Sequence, residues 1–352
     1  MSSEIVLNAG LVADLRGLIE RARQRAAVAV NRELVLLYWD LGQRIHVEIL
    51  GEERADYGKR IFATLSRKLT AEFGKGFTHS NLGRMVQFAE QFPDRAVVEK
   101  LCEVLSWSHF VEILPLREPL EREFYATMCH ACRWSVRGLR KEIAGALFLR
   151  TELSRNTDEL VRRELAALRD EDQWTPDLVF RDPYLLPFLG LSDTFNEKDL
   201  EEALLREMER FLLELGEGFA FVARQKRITV DDRDFYLDLL FYHRGLRRLV
   251  ALDLKIGAFD PGFKGQMELY LRWLDKYERA PGEEAPIGLI LCTATGAEQL
   301  ELLQIGQHDI HVAEYVTRHL PPTLLHQKIE EARRRSLAQI AARQHGENGS
   351  EE

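Results

Sequence analysis

The chain has 352 residues, of which 45% are apolar and 30% charged, and it carries 18 Phe, 9 Tyr and 5 Trp, which excludes global disorder and suits two or three packed domains. No apolar run approaches the roughly 18 residues of a bilayer span, and the four cysteines are scattered, so we expect a cytoplasmic protein without structural disulfides. The net charge of −9 argues against a uniformly basic nucleic-acid binder, although residues 1–150 sum to +3 and residues 151–352 to −12. An acidic half can still act on nucleic acid if its carboxylates hold a divalent cation.

The first half of the sequence has the pattern of helices. Apolar residues recur there at spacings of three and four, beginning with one long predicted helix, or two in line, over 11–49, and no segment alternates as a strand would. The further predicted helices cover 57–73, 80–91, 96–105, 118–130, 135–149 and 152–168. We therefore predict an all-helical N-terminal domain, residues 1–172, that could bind DNA, a protein partner or a second copy of the chain.

The pattern changes near Trp174. A Pro- and Gly-containing connection over 175–194 precedes a helix that Asn196 caps, predicted over 197–215. The elements predicted after it are strands 219–230, 235–242 and 248–256, helix 263–279, strand 286–292, helix 298–305 and strand 311–315. This order predicts an α/β domain with a mixed sheet over residues 173–320, followed by a C-terminal helix, 324–343, and a tail within residues 321–352.

Three charged residues stand out in these strands. Asp253 and Lys255 share one face of the third strand, and Asp238 is the lone carboxylate of an otherwise apolar run in the second. Because a short turn joins the two strands, antiparallel pairing could place Asp238 beside Asp253. Two adjacent carboxylates need a cation, and Mg²⁺ prefers such oxygen ligands, while Lys255 could orient a water or neutralise phosphate. The alternative is a solvated cross-strand charge pattern.

The spacing of Asp238 and Asp253-Leu254-Lys255 within an αβββαβ order resembles the PD-(D/E)XK nuclease superfamily, which accepts Asp or Glu at the position of Asp253. Longer strings resemble the bacterial YhcG family. They are Leu36–Gly42, Leu105–His109 and Trp134–Val136 in the first half, and Leu200–Leu204, Phe211–Gly216, Asp238–His243 and Gly265–Met267 in the second. The resemblance covers about residues 10–320 and implies a restriction-endonuclease-like core behind an N-terminal helical domain.

The resemblance also implies an activity and its residues. It implies a metal-dependent nuclease with DNA as the expected substrate, using Mg²⁺, with Mn²⁺ as a substitute, and a metal-activated water. Asp238 and Asp253 would hold the ion with help from Glu201, and Lys255 and Gln266 would complete the catalytic set. The alternatives for Glu201 and for Tyr270, which lies four residues after Gln266, are an ordinary helix-face acid and ordinary packing. The alternative for the whole chain is a non-catalytic nucleic-acid-binding or assembly protein that retains the fold.

The N-terminal half contains a weaker DNA-binding signal. Residues 70–91 could form a helix-turn-helix, because Gly74-Lys75-Gly76 interrupts the chain and the next helix carries Asn81, Arg84 and Gln87, which can reach base edges. A plain helical hairpin explains the same pattern. Basic residues that favour phosphate contacts are Arg54, Lys59, Arg60, Arg67, Lys68, Lys75 and Arg84.

Two further motifs are left outside the predicted site. Cys129-His130-Ala131-Cys132 resembles half of a zinc site, but no second cysteine pair supplies the other ligands, so an ordinary helical segment is the preferred interpretation. His243 ends a strand and could contact phosphate, although a turn histidine is an equal alternative.

Overall fold

The computed structural model describes residues 9–50, 55–191, 194–303, 305, 309–318, 321, 323–324 and 327. The chain divides into two compact units, Met1–Ile143 and Ala144–Glu352. The sequence-based boundary, between residues 172 and 173, lies later in the chain, so the predicted helix over 152–168 groups with the C-terminal unit. The predicted terminal helix and the tail lie almost entirely outside the described residues. None of the described helices is long and apolar enough to cross a lipid bilayer.

The first unit is helical, as predicted, and none of its described residues forms a strand. Its helices are α1 (Ala9–Ile45), α2 (Ala55–Phe73), α3 (His79–Gln91), α4 (Arg95–Leu101), α5 (Trp107–Ile113), α6 (Pro119–Cys132) and α7 (Val136–Ala144). Helix α1 continues into a π-helical turn, His46–Leu50, and a 3-10 turn, Lys75–Phe77, joins α2 to α3. The sequence did not predict α5, which is only seven residues long and begins where the Ser106 N–H donates to His109 Nδ1.

Close packing between helices builds the core of this unit. The ring of Phe88 contacts those of Phe110 and Trp107, with centroids 4.5 and 5.6 Å apart. Helix α1 approaches α3 at Gly42, where a Cβ atom would stand 2.0 Å from the carbonyl oxygen of Met85. This contact therefore requires glycine.

The second unit holds the sheet. Its elements are α8 (Leu147–Arg150), α9 (Asp158–Glu171), α10 (Pro176–Val179), β1 (Tyr184–Leu185), α11 (Glu197–Arg206), α12 (Met208–Leu215), β2 (Phe219–Val230), β3 (Arg233–His243), β4 (Arg248–Leu254), α13 (Pro261–Tyr277), β5 (Ile287–Cys292), α14 (Ala297–Leu302) and β6 (Ile310–Val316). The predicted helix over 197–215 is two helices, because the backbone leaves the helical region at Glu207. Strand β1 lies in the segment that was predicted to be a connection.

The six strands form one mixed sheet in the order β1-β6-β5-β4-β3-β2. Strands β2, β3 and β4 pair antiparallel, whereas β4, β5, β6 and β1 pair parallel, which confirms the predicted αβββαβ core. One apolar cluster contains residues of α11, α12 and the sheet, including Leu200, Phe211, Leu239, Val250 and Leu252. A second contains residues of α13 and the sheet, including Leu240, Ala251, Met267, Tyr270 and Ile290. The sheet therefore lies between two helical layers.

Candidate active site

Strands β3 and β4 bring Asp238 and Asp253 together, as the sequence predicts. The last registered pair of these strands is Leu239 with Leu252, and the two aspartates follow it directly. The two carboxylates lie close enough for the charge of Asp238 to raise the pKa of Asp253, and Asp238 Oδ2 accepts the Leu254 N–H at 2.8 Å. Asp253 is 1% exposed and Asp238 is partly buried, so two like charges meet with little access to water. Such a pair is unfavourable unless protons or a cation neutralise it.

Lys255 lies immediately after the end of β4. Its backbone N–H donates to the Leu291 carbonyl at 2.8 Å, which continues the pairing with β5. Its Nζ stands 2.9 Å from Asp253 Oδ2 and 5.3 Å from the centre of the Phe263 ring. The ammonium is therefore placed beside the two carboxylates, where the sequence predicted it.

Glu201 reaches the site from helix α11. It is buried between Leu200 and Ala203, residues of the helix face that packs on the sheet. Its Oε2 accepts a hydrogen bond of 2.9 Å from Gln225 Nε2, and its Oε1 lies 3.6 Å from Arg224 Nε. The helix thus turns a third carboxylate toward β2 and β3. We call Glu201, Asp238 and Asp253 the acidic cluster.

Gln225 of β2 is a residue of this site that the sequence did not reveal. Its Nε2 lies 2.9 Å from Glu201 Oε2 and 3.1 Å from Asp238 Oδ1, so it donates to both acids. The signal available in the sequence was the pair Asp231-Asp232, a turn-forming dipeptide. In the structure both residues have positive φ, 48° and 56°, as a two-residue hairpin turn requires. Counting back from that turn places Gln225 opposite Asp238.

Gln266 and Tyr270 occupy one side of helix α13 but do not hydrogen-bond to the acidic cluster. Gln266 Nε2 donates to the hydroxyl of Tyr270, which in turn donates to the Tyr236 carbonyl of β3 at 3.1 Å. Tyr270 is fully buried, and burial raises the pKa of its hydroxyl. This chain of hydrogen bonds anchors β3 two residues before Asp238.

Burial and like charge raise the pKa values of two acids in the cluster. For Asp253, burial and then the charge of Asp238 raise the pKa to about 7, although Lys255 opposes the shift. For Glu201, burial and then Asp238 raise the pKa, and Arg224 opposes it. Burial alone would lower the pKa of Lys255, but the carboxylates around it outweigh that effect and raise it. The lysine therefore stays protonated, while the pKa of Asp253 lies near neutral pH.

The donor atoms fit a hard divalent cation. Glu201 Oε1 and Asp253 Oδ2 are buried carboxylate oxygens for which the described residues offer no hydrogen bond of good geometry; the nearby Arg224 and Lys255 make only ion-pair contacts to them. Oxygen ligands of this kind are those that Mg²⁺ and Mn²⁺ prefer. No group of three His, Cys, Asp or Glu side chains among the described residues is already close enough to hold one ion. The Gln225 amide stands between two of the predicted ligands.

His243 is a structural residue rather than a phosphate contact. It is 1% exposed, and burial lowers the pKa of its imidazole to about 4, so it is neutral at pH 7. Its Nε2 donates to the Glu217 carbonyl at 3.1 Å, and its Nδ1 accepts the Leu246 N–H at 3.0 Å. Both ring nitrogens hold the backbone at the end of β3.

The structure engages most of the N-terminal side chains that were predicted to read DNA bases. Helices α2 and α3 flank a short turn, but Asn81 bonds to Gly76 and Trp107, and Gln87 donates to the Leu114 carbonyl. Two of the three side chains proposed to read bases are therefore engaged inside the unit, which favours a plain helical hairpin.

Among the basic residues, Arg67, Lys68, Lys75 and Arg84 are exposed, whereas Arg54 and the side chains of Lys59 and Arg60 lie outside the described part of the chain. The Cys129–Cys132 motif forms the end of α6.

Comparison with known proteins agrees with this architecture. The family model of the YhcG PDDEXK nuclease domain matches residues 177–330, and that of the DUF1016 N-terminal domain matches residues 14–150. A relative from Escherichia coli (strain K12), named "Putative nuclease YhcG", is 34% identical over 334 residues, which cover 86% of this chain and 88% of the relative.

A crystal structure of a repair endonuclease from Pyrococcus abyssi matches 37% of this chain and 50% of its own, with 23% identity and a TM-score of 0.25, and describes only a partial likeness. By its sequence similarity and its two matching domains, the chain belongs to the YhcG family, with a nuclease domain of the PD-(D/E)XK type at its C-terminal end.

Proposed function

We propose that this protein is a metal-dependent nuclease that hydrolyses phosphodiester bonds of DNA, with Mg²⁺ as its ion and Mn²⁺ as a substitute. The observation that carries the proposal is the placement of Asp238 and the buried Asp253 at neighbouring positions of β3 and β4, with Lys255 beside them, in a PD-(D/E)XK domain. A protein that only bound nucleic acid would gain nothing from this costly arrangement of like charges.

Asp238 and Asp253 would hold the ion, and Glu201 would assist from helix α11. The bound ion would supply Lewis-acid chemistry, which makes a water nucleophilic and neutralises charge on the phosphate. Both aspartates are held by backbone elements of a mixed sheet, and the Leu254 N–H fixes one oxygen of Asp238. The two aspartates are therefore carried by strands rather than by loops.

Lys255 would act on the substrate. Its raised pKa keeps it cationic at neutral pH, and its ion pair with Asp253 aims it toward the acidic cluster. A protonated amine there can donate hydrogen bonds to phosphate oxygens and stabilise the negative charge that develops during hydrolysis. Gln266 would support the site through Tyr270, which anchors β3.

The helical unit would contribute nucleic-acid affinity through exposed basic residues such as Arg67, Lys68 and Lys75. Each contact of a basic side chain with a phosphate releases counterions, which makes binding depend on salt. The alternative is that this unit binds a protein partner or a second copy of the chain.

The proposal is tested with linear, nicked, branched and single-stranded DNA and with RNA, each incubated in Mg²⁺, Mn²⁺ or EDTA. We expect cleavage of at least one DNA form with either ion, none in EDTA, and loss of cleavage in Asp253→Asn. A matched control is Asp234→Asn, the same change at a residue of β3 that pairs with Arg227. Binding of DNA without cleavage under every condition would support the non-catalytic alternative, and cleavage in EDTA would exclude the metal.

A further inference from the structure

The amide of Gln225 bridges two carboxylates that the proposed function assigns to a metal ion. Its Nε2 lies 2.9 Å from Glu201 Oε2 and 3.1 Å from Asp238 Oδ1. Two carboxylate oxygens can only accept, so the NH₂ end of the amide must face them, and the Oε1 end must point elsewhere. A polar hydrogen donor thus occupies the position at which a cation would join the same two acids.

The backbone is distorted at this residue. Gln225 has a φ of 43°, in the left-handed region, although it lies inside a strand. Its neighbours Arg224 and Lys226 pair with Leu239 and Leu237, but no ladder pair forms between Gln225 and Asp238. A non-glycine residue persists in such a conformation only where its surroundings hold it, and these positions concentrate at functional sites. Here the distortion accompanies a side chain that reaches the acidic cluster.

The amide does not satisfy the cluster. Glu201 is 8% exposed and Asp253 1% exposed, and each retains a buried oxygen, Oε1 and Oδ2, whose only polar neighbours among the described residues are the ion-paired Arg224 and Lys255. Buried acceptors whose only neighbours carry positive charge suit a cation rather than another neutral donor. A cation that bound them would repel the N–H groups of Gln225.

A half-turn of the terminal amide resolves this conflict. The last torsion of glutamine is broad and roughly two-fold, so exchanging Nε2 for Oε1 costs little. The exchange would replace two donors by a carbonyl oxygen, which is a hard ligand that divalent cations accept. The same side chain can therefore neutralise the carboxylates in one orientation and coordinate an ion in the other.

We infer that Gln225 is a switching ligand of the metal site: its NH₂ group holds Glu201 and Asp238 together when no ion is bound, and its Oε1 faces the ion when one binds. The inference rests on the proposed function, because it assumes that the acidic cluster holds the metal. It adds a ligand from β2, a strand that contributes none of the other predicted site residues.

The test is calorimetric titration of the full-length protein with Mn²⁺ and with Mg²⁺. Gln225→Met keeps the length of the side chain but removes its oxygen, and we expect the affinity for Mn²⁺ to fall about tenfold. Gln225→Glu supplies a charged oxygen, and we expect the affinity to rise about tenfold, since ligand charge sets ion affinity. Gln299→Glu makes the same change at an exposed residue of α14 and should leave the affinity at the parental value.

Thermal unfolding gives a second readout that does not depend on cleavage. In EDTA, Gln225→Glu adds a third charge beside Glu201 and Asp238, so its midpoint should fall by several degrees and return to the parental value when Mn²⁺ is added. If Gln225→Met is unstable, Gln225→Asn replaces it, because asparagine tolerates the left-handed backbone while its shorter amide fails to reach the acids. The expected loss of affinity is the same.

The outcomes separate the two proposals. If Gln225→Met binds Mn²⁺ as tightly as the parent or more tightly, the amide is only a clamp that the ion displaces, and the inference is wrong. The metal assignment still stands in that case if Asp238→Asn weakens binding in the same titration. If the parent binds no divalent ion, or Asp238→Asn binds it unchanged, the metal site of the proposed function is wrong and the inference falls with it.

Discussion

Two groups of buried charges in the C-terminal unit are built on opposite principles. Arg150 is 2% exposed and donates to Glu214, to the Pro183 carbonyl at 3.1 Å and to the Gly145 carbonyl at 2.9 Å. Glu214 also accepts the Leu185 N–H at 2.8 Å. The acidic cluster instead places like charges together, and two of its buried oxygens have only ion-pair contacts, with Arg224 and Lys255.

This difference distinguishes a structural ion pair from the group of acids that the proposed function assigns to the active site. An ion pair whose members have opposite charge and satisfied hydrogen bonds fixes elements relative to one another, and removing one partner leaves an uncompensated buried charge. A cluster of like charges lowers the stability of the fold. Perturbed pKa values of this kind concentrate at functional sites. Mutation of the arginine–glutamate pair should therefore lower the free energy of unfolding, whereas mutation of the acidic cluster should lower the cleavage rate.

The largest expected effect is on cleavage. Asp238→Asn keeps the shape of the side chain but removes the charge that attracts the ion, so we expect the cleavage rate in Mg²⁺ to fall about a thousandfold. DNA affinity in EDTA should stay level or rise, because a carboxylate that repels phosphate has gone. A cleavage assay and a binding titration on the same preparation measure the two effects. A variant that cuts at the parental rate would show that Asp238 is not a site residue.

The second effect is on folding. Glu214→Gln leaves the buried guanidinium of Arg150 without its counter-charge, and we expect the free energy of unfolding to fall by about 3 kcal/mol. Urea denaturation with and without Mg²⁺ measures this change, and the ion should not restore the loss. A stability within 0.5 kcal/mol of the parent, which is about the range of ordinary surface substitutions, would mean that the pair is not structural.

The third effect is the pH dependence of stability and metal binding. The pKa of Asp253 is raised from 3.8 to about 7, so the folded protein keeps a proton that the unfolded chain releases between these values. Stability in EDTA should therefore be fully present below about pH 4 and decline as the pH rises through 7. Because an ion displaces that proton, affinity for Mn²⁺ should fall about tenfold for each pH unit below 7.

Thermal unfolding in EDTA and calorimetry in Mn²⁺, each from pH 5 to pH 8, measure this dependence. Asp238→Asn should move the decline in stability to lower pH, because it removes the neighbouring charge that helps to raise the pKa of Asp253. Stability in EDTA that increases steadily from pH 5 to pH 8 would contradict the sign of the shift.

The smallest effect is expected in the N-terminal unit. Replacing Arg67 and Lys68 by alanine removes two exposed charges, and we expect the slope of log affinity for DNA against log salt to fall by about 2. The matched control replaces Arg162 and Arg163, two exposed arginines of α9, and should leave the slope unchanged. An unchanged slope in the first variant would show that Arg67 and Lys68 do not contact phosphate.

The sequence predicted the elements and acids whose signals are local. Strands β2 to β4 have long apolar or alternating runs, and the short β3–β4 turn was enough to bring Asp238 to Asp253. Gln225 was missed because the β2–β3 turn was assigned four residues, 231–234, instead of two. That assignment places Asp238 opposite Arg227, and neither the bulge after Phe221 nor the left-handed Gln225 has a distinct sequence signature.

Other features depend on tertiary contacts. Strand β1 has only two residues, so no periodicity can reveal it, and its pairing with β6 is decided by the rest of the sheet. The break at Glu207 falls on a residue that favours helices. Asn81 and Gln87 have the right chemistry to read bases, but the fold engages them with backbone and side-chain partners inside the helical unit.

The pairing of β1 with β6 also has a consequence for how the protein can be divided. Residues before α11 complete the sheet: β1 covers the edge of β6, Asp182 accepts the Glu314 N–H at 2.9 Å, and Arg150 bonds to Glu214. A truncated nuclease that began at Asn196 would expose the backbone of β6, and the carboxylate of Glu214 would lose its partner Arg150. The unit that contains the nuclease domain begins near Ala144, so we expect gene fusions or limited proteolysis that cut at this boundary to yield a fragment that folds.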